Sequence, residues 1–331
     1  MTPGRTGLFV SAAIVAVVLL VSAPAAALVD QTERMELSDG VGLSTRLILP
    51  DDTNGPWPTL FARTPYSFDG GTNAMIQEGL ELSAGLGYAV VVQDTRGTGG
   101  SEGEPEPFLT DRQDGQEALL WVLAKPWCDG RVLQVGASAL AIPGYLMAPG
   151  ADPGMICQLL GIATPDVYGQ AAYQGGVLRQ ADVDDWTGWL GIQSLKPRII
   201  EHRDCDSFWD PVRVSGLGAD VHAAAVHAGG WYDLFLQGAI DGFRMYRQST
   251  DAWVAQHQYL VIGPWSHHLV GENTVGQFVL PETAKWNLLA QVLAWVNWCF
   301  YGWSDVIDSQ PPVQYWVFGA VGEEGAPGNE W

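Results

Sequence analysis

From Met35 onward, short apolar runs alternate with stretches whose apolar residues recur every three or four positions. Met35 to Leu37 and Leu43 to Leu49 flank Asp39-Gly40, a pair suited to a tight turn, so the pattern predicts a β-hairpin. Pro58 to Arg63 and Tyr88 to Gln93 are further strand-like runs. Ala89-Val90-Val91-Val92 has no polar face, as expected of a strand covered on both sides. Asn73 to Ala84 has helical spacing between them. Thr110-Asp111 offers a helix start, and Ala118, Leu119, Val122 and Leu123 then mark one face of a helix ending near Pro126. Val132 to Val135, Gln158 to Ala163, His222 to His227 and Gln258 to Ile262 read as later strands, and Leu234 to Tyr246 and Ala284 to Tyr301 as later helices. Strands alternating with helices predict an α/β fold with a mostly parallel sheet and helices on both faces. The stretch 165–218, rich in Tyr, Trp, Asp and Gly, breaks this rhythm and is too long for a plain connection, so it is expected to form a cap.

The most informative position is Ser138. In Gln134-Val135-Gly136-Ala137-Ser138-Ala139-Leu140 it falls between a strand and a helix. A sharp turn there presents the hydroxyl above the sheet edge and aims the next N–H at the same point. Gly-x-Ser alone is a common tripeptide, and an ordinary strand-end turn is its simplest meaning. Two later segments change that balance. His227-Ala228-Gly229-Gly230-Trp231-Tyr232-Asp233 puts an acid just past one predicted strand, and Ile262-Gly263-Pro264-Trp265-Ser266-His267 puts a histidine just past the next. A serine hydroxyl becomes a good nucleophile only when a base takes its proton, and a carboxylate then holds that base in the required tautomer. Nucleophile, acid and histidine stand here in the chain order of the α/β-hydrolases. His268 competes with His267, since only one of two adjacent rings can face the serine.

Composition narrows the remaining classes. The chain has 331 residues, 47% hydrophobic and 16% charged, which suits a folded enzyme rather than a disordered chain. Its formal net charge of −21 repels polyanions, so no nucleic-acid partner is expected. The acidity itself is read as a solvated surface. Arg5, the apolar run Leu8 to Val21 and the small residues up to Ala27 resemble a secretory signal peptide over 1–27, with an uncleaved anchor as the alternative. Cleavage predicts a secreted or periplasmic protein with no stable membrane span. Leu288 to Trp303 contains Gln291 and Asn297 and is expected to be a core helix. Four cysteines, Cys128, Cys157, Cys205 and Cys299, allow one or two disulfides, with free buried thiols as the alternative. None has metal-ligand spacing, and no metal or organic cofactor is expected.

Arg63-Thr64-Pro65-Tyr66, Gln93-Asp94-Thr95-Arg96-Gly97 with Ser101-Glu102-Gly103, Trp127-Cys128-Asp129-Gly130, Gly229-Gly230-Trp231-Tyr232-Asp233 and Gly263-Pro264-Trp265-Ser266-His267 together resemble the X-Pro dipeptidyl-peptidase and cocaine esterase-like serine hydrolases. The resemblance runs from about Met35 to the C-terminus. It implies an α/β-hydrolase domain over 28–310 with a helical cap, and a C-terminal jelly-roll domain of which 311–331, with a strand over Val313 to Phe318, would be a truncated start. It also implies Ser138 as nucleophile, Asp233 and His267 as its partners, and Tyr66 with the Ala139 N–H as oxyanion donors. On the same ground His267 is preferred to His268. From its residue type alone, Tyr66 reads first as a turn-packing side chain. Asp94 and Arg96 are expected to brace their loop rather than take part in chemistry. Leu140 and Ala141 depart from the glycine of a general elbow, and Pro143-Gly144 sit early in the following helix.

The expected activity is hydrolysis of an acyl ester, or an amide, of a small molecule or short peptide through an acyl-enzyme. Tyr168, Tyr173, Trp186 and Trp189 are candidates for its pocket, with aromatic packing inside the cap as the alternative. The runner-up is a dipeptidyl-peptidase acting after proline. It needs an anionic pocket for the substrate's amino terminus, for which Asp182, Asp184 and Asp185 are candidates against a simple solvated acidic run. An inactive binding protein on the same fold is the third reading.

Overall fold

The computed structural model describes residues 28–50, 55–68, 83–268, 270–303, 306–320 and 327–331. The leader over 1–27 and most of the helix expected at 73–84 lie outside the described residues. Among the described residues nine strands form one sheet: β1 (Val29–Glu36), β2 (Gly42–Leu49), β3 (Trp57–Thr64), β4 (Ala89–Asp94), β5 (Cys128–Ala137), β6 (Met155–Gly161), β9 (Ala224–Tyr232), β10 (Gln258–Ser266) and β13 (Val313–Tyr315). Their spatial order is β1-β2-β4-β3-β5-β6-β9-β10-β13. The first two pairings, β1 with β2 and β2 with β4, are antiparallel, and all the others are parallel. The hairpin turn is where Asp39-Gly40 predicts it, with Gly40 at φ +87°, a conformation glycine adopts without strain.

Alternation along the strands divides two cores. Phe61, Val91, Val132 and Leu160 point to one face, and Leu60, Val90, Leu133 and Leu159 to the other. The first face is covered by α1 (Asp111–Leu123), α2 (Ile142–Met147) and α5 (Leu236–Tyr246). The second is covered by α7 (Leu288–Tyr301), which buries Val292, Trp295, Val296 and Phe300. The apolar run Leu288 to Trp303 is therefore the core helix its polar interruptions suggest. All six residues of β4 are buried.

The cap closes on itself at its root, where Val214 N–H donates to the Pro165 carbonyl at 3.0 Å and Asp166 bridges to Arg213. It holds a short ladder of β7 (Tyr173–Gln174) with β8 (Val177–Leu178), then α3 (Gln180–Leu190) and α4 (Leu195–Glu201). Gly191, left-handed at φ +71°, ends α3. A five-residue helix α6 (Ala252–Gln256) precedes β10, and β11 (Thr274–Val275) pairs with β12 (Phe278–Val279) after it. The strand expected over Val313 to Phe318 as the start of a jelly roll spans Val313–Tyr315 and pairs with β10 in parallel as the last strand of the main sheet. Cys157 on β6 is disulfide-bonded to Cys299 on α7, while the Cys128 and Cys205 thiols are free. Among the described residues no helix is long and apolar enough to cross a membrane, and no group of three or more His, Cys, Asp or Glu is placed to hold a metal.

Candidate active site

Three parallel strands end in sequence on three polar residues. β5 ends at Ala137, β9 at Tyr232 and β10 at Ser266, and the next residues are Ser138, Asp233 and His267. Parallel strands bring all three to the same edge of the sheet. Ser138 Oγ lies 2.8 Å from His267 Nε2, and His267 Nδ1 lies 2.6 Å from Asp233 Oδ2. The second oxygen of Asp233 accepts the Phe235 N–H at 2.6 Å, so both carboxylate oxygens are occupied in a fully buried side chain. The Phe235 ring meets the His267 ring edge-on at 5.7 Å.

Local sequence explains why each side chain arrives there. Ser138 has φ +54°, a left-handed conformation that costs a non-glycine residue about 1–2 kcal/mol and throws its side chain out of the strand path. The turn is tight enough that a Cβ on Gly136 would lie 2.3 Å from the Leu140 carbonyl oxygen. The absent second glycine does not disturb it: Ala141 is fully buried, and Pro143 occupies the first turn of α2, where its missing N–H has no partner to lose. On the other strands the glycines make room for Trp265. Cβ atoms on Gly230 and Gly263 would lie 2.3 Å from its carbonyl oxygen and 2.2 Å from its ring. The β9–β10 register shifts between Gly263 and Ser266, a bulge that redirects the chain just before His267.

The hydroxyl opens on a cavity of about 1520 Å³ between the sheet edge and the cap, whose wall includes Ser138, Ala139, Tyr66, His267 and His268. Trp186 and Trp189 also line it. Tyr168 and Tyr173 do not: they stack on each other at 5.2 Å, against Trp209, and their hydroxyls donate to the Arg203 and Ile199 carbonyls. These two belong to the cap's interior, the alternative the sequence left open. Tyr66 is no turn-packing side chain. Its hydroxyl accepts the Trp186 Nε1–H at 2.9 Å, and burial raises its pKa, so it stays protonated. His268 makes no hydrogen bond among the described residues, and burial, reinforced by His267, holds its pKa below the usual histidine range.

Asp94 and Arg96 brace the loop, as expected. Asp94 accepts the Phe68 and Gly100 N–H groups at 2.9 Å, and Arg96 pairs with Asp114 and Asp39. Of the three acids proposed for an amine site, Asp182 pairs with Arg179 at 2.8 Å and Asp184 with Lys196. Asp182 and Asp185 both line the cavity, and among the described residues Asp185 has no such pairing. Sequence reasoning missed Phe108 and Phe235. Phe235 had a readable signal, two residues beyond the acid in a strand-to-helix turn; Phe108 had none.

Comparison with known proteins points the same way. The model of the X-Pro dipeptidyl-peptidase (S15) family matches residues 39–197 and 192–269. A cocaine esterase from Rhodococcus sp. (strain MB1 Bresler) is 28% identical over 297 residues, covering 75% of this chain and 50% of that protein. The chain thus spans half the length of this relative. Among solved structures, a CocE/NonD family hydrolase from Staphylococcus aureus superposes with TM-score 0.70 at 18% identity, over 90% of this chain and 55% of that one. An aminopeptidase from a marine sediment Thaumarchaeota archaeon superposes with TM-score 0.69 at 17% identity, over 90% and 58%. At these identities the superpositions establish the α/β-hydrolase fold alone.

Proposed function

We propose that this chain, which belongs to the X-Pro dipeptidyl-peptidase (S15) family, is a serine hydrolase that cleaves acyl esters through an acyl-enzyme. One observation carries the reading: hydroxyl, imidazole and carboxylate form an unbroken hydrogen-bonded relay, 2.8 and 2.6 Å long, on the wall of a cavity. His267 takes the Ser138 proton as the oxygen attacks the ester carbonyl. Asp233 fixes the Nδ1–H tautomer and stabilises the imidazolium. The Tyr66 hydroxyl and the Ala139 N–H receive the developing negative charge. His267 then protonates the leaving alcohol, and water attacks the acyl-enzyme by the reverse path. Export to an oxidising compartment is part of this proposal, supported by the leader-like N-terminus and the Cys157–Cys299 bond.

Asp185 favours a second reading, a peptidase that holds a substrate's amino terminus against this carboxylate. A fluorophosphonate probe tests the common chemistry: native protein is expected to be labelled and Ser138→Ala not. An unlabelled native protein would leave an inactive binding protein. Hydrolysis of p-nitrophenyl acyl esters, set against Gly-Pro and Ala-Pro chromogenic amides, separates the two substrates. Amide turnover that is lost in Asp185→Asn would favour the peptidase.

A further inference from the structure

We infer that Trp186, on the cap helix α3, is a positioning residue that fixes the Tyr66 hydroxyl as a hydrogen-bond donor to the oxyanion; the inference rests on the proposed acyl transfer. An indole N–H only donates, so in the 2.9 Å contact the Tyr66 oxygen is the acceptor. The phenol proton remains for another partner, and no described protein group accepts it. Tyr66 lines the same cavity as Ser138 and Ala139. A phenol held through its oxygen loses rotational freedom and becomes a stronger donor, because hydrogen bonds in series polarise one another where water is scarce.

The indole is itself held in place. Its ring stacks on Phe108 at 5.2 Å with planes 13° apart. Phe108 sits at φ +73°, a conformation retained only where the surroundings enforce it. Its N–H donates to the Asp111 carboxylate at 2.9 Å, and Asp111 is paired with Arg63 at 2.6 Å in full burial. Arg63 belongs to β3, and Tyr66 follows two residues beyond the end of that strand. The circuit therefore starts on β3 and ends two residues past it, and passes through the cap only at Trp186. A wall residue that merely touched substrate would need neither the directed N–H nor a strained residue behind it.

Trp186→Phe keeps a ring to stack on Phe108 and deletes the N–H. The expected result is a kcat on p-nitrophenyl esters lowered roughly three- to tenfold at unchanged KM, the range of one neutral hydrogen bond. The affinity of a boronic acid that forms a tetrahedral adduct with Ser138 should fall by the same factor. In a Tyr66→Phe background the substitution should have no further effect on kcat. An equal fall in both backgrounds, an effect on KM alone, or an unchanged kcat would overturn the inference and leave the triad standing. Native protein that neither takes the fluorophosphonate nor cleaves any ester would remove the triad reading, and this inference with it.

Discussion

At the scale of single residues, the site depends on backbone conformations as much as on functional groups. Ser138, Ser67 and Phe108 all have positive φ, and all three line the cavity. Strained residues around one cavity indicate that the surroundings pay for geometry there. Gly136→Ala should expose this. Its Cβ would meet a backbone oxygen that cannot move without opening the elbow, so stability should fall by about 1–3 kcal/mol and fluorophosphonate labelling should slow sharply. Urea unfolding and labelling kinetics measure the two effects. Asp233→Asn tests the other end of the relay. An amide can present its NH2 to Nδ1 and so favour the wrong tautomer, and kcat should drop by about 10⁴ while near-UV circular dichroism is unchanged. A drop of tenfold or less would show that the carboxylate is structural. The candidates Ser138, Asp233 and His267 were readable because each falls a few residues past the end of an apolar run. The partner of Tyr66 was not readable, since a contact across 120 positions leaves no periodicity in the chain.

At the scale of elements, the apolar runs located the strands, and the polar residues inside them were the part left unexplained. Gln134 on β5, Gln158 on β6, His227 on β9 and Gln258 on β10 are buried in adjacent strands. Gln158 donates to Gln134 at 3.0 Å, and His227 bonds Tyr145 through Nδ1 and Gln258 through Nε2. Their counterparts are tyrosines from α2 and α5, with Tyr246 donating to Gln158 at 2.6 Å. A pattern of single polar residues in strands would have predicted a solvated face; satisfied hydrogen bonds inside the core make it a buried one. Burial lowers the His227 pKa to about 3, so the fold holds this ring neutral. Because the unfolded chain binds the proton more readily, this contribution to stability is complete above the ordinary histidine pKa and is lost as pH falls towards 3. Between pH 7 and 4.5 the loss should amount to about 2–3 kcal/mol. Carboxylates also titrate there, so the measurement is a difference: the stability gap between wild type and His227→Gln should shrink by that amount at pH 4.5. A gap independent of pH would show that the ring takes up its proton in the folded state.

At the scale of the whole molecule, the chain joins distant segments at one edge, and a covalent loop encloses two of them. The Cys157–Cys299 bond spans 142 positions, and both Asp233 and His267 lie within that span. Four cysteines had permitted several pairings, and only the packing of α7 on the second face of the sheet selects this one. Cross-linking so long a loop restricts the unfolded chain, with a chain-entropy ceiling of about 5 kcal/mol. Neither cysteine lines the cavity, so the bond should influence stability and not chemistry. Replacing both by alanine is expected to lower the unfolding free energy by about 3–5 kcal/mol and leave kcat at 25 °C within twofold. Urea unfolding with and without dithiothreitol isolates the cause. Reductant should bring wild type down to the level of the double variant and leave the variant unmoved, because Cys128 and Cys205 have no bond to lose. If reductant destabilised the variant as much as wild type, the loss would have to come from some other feature of the fold, and the clamp between β6 and α7 would not be the element that holds the second face closed.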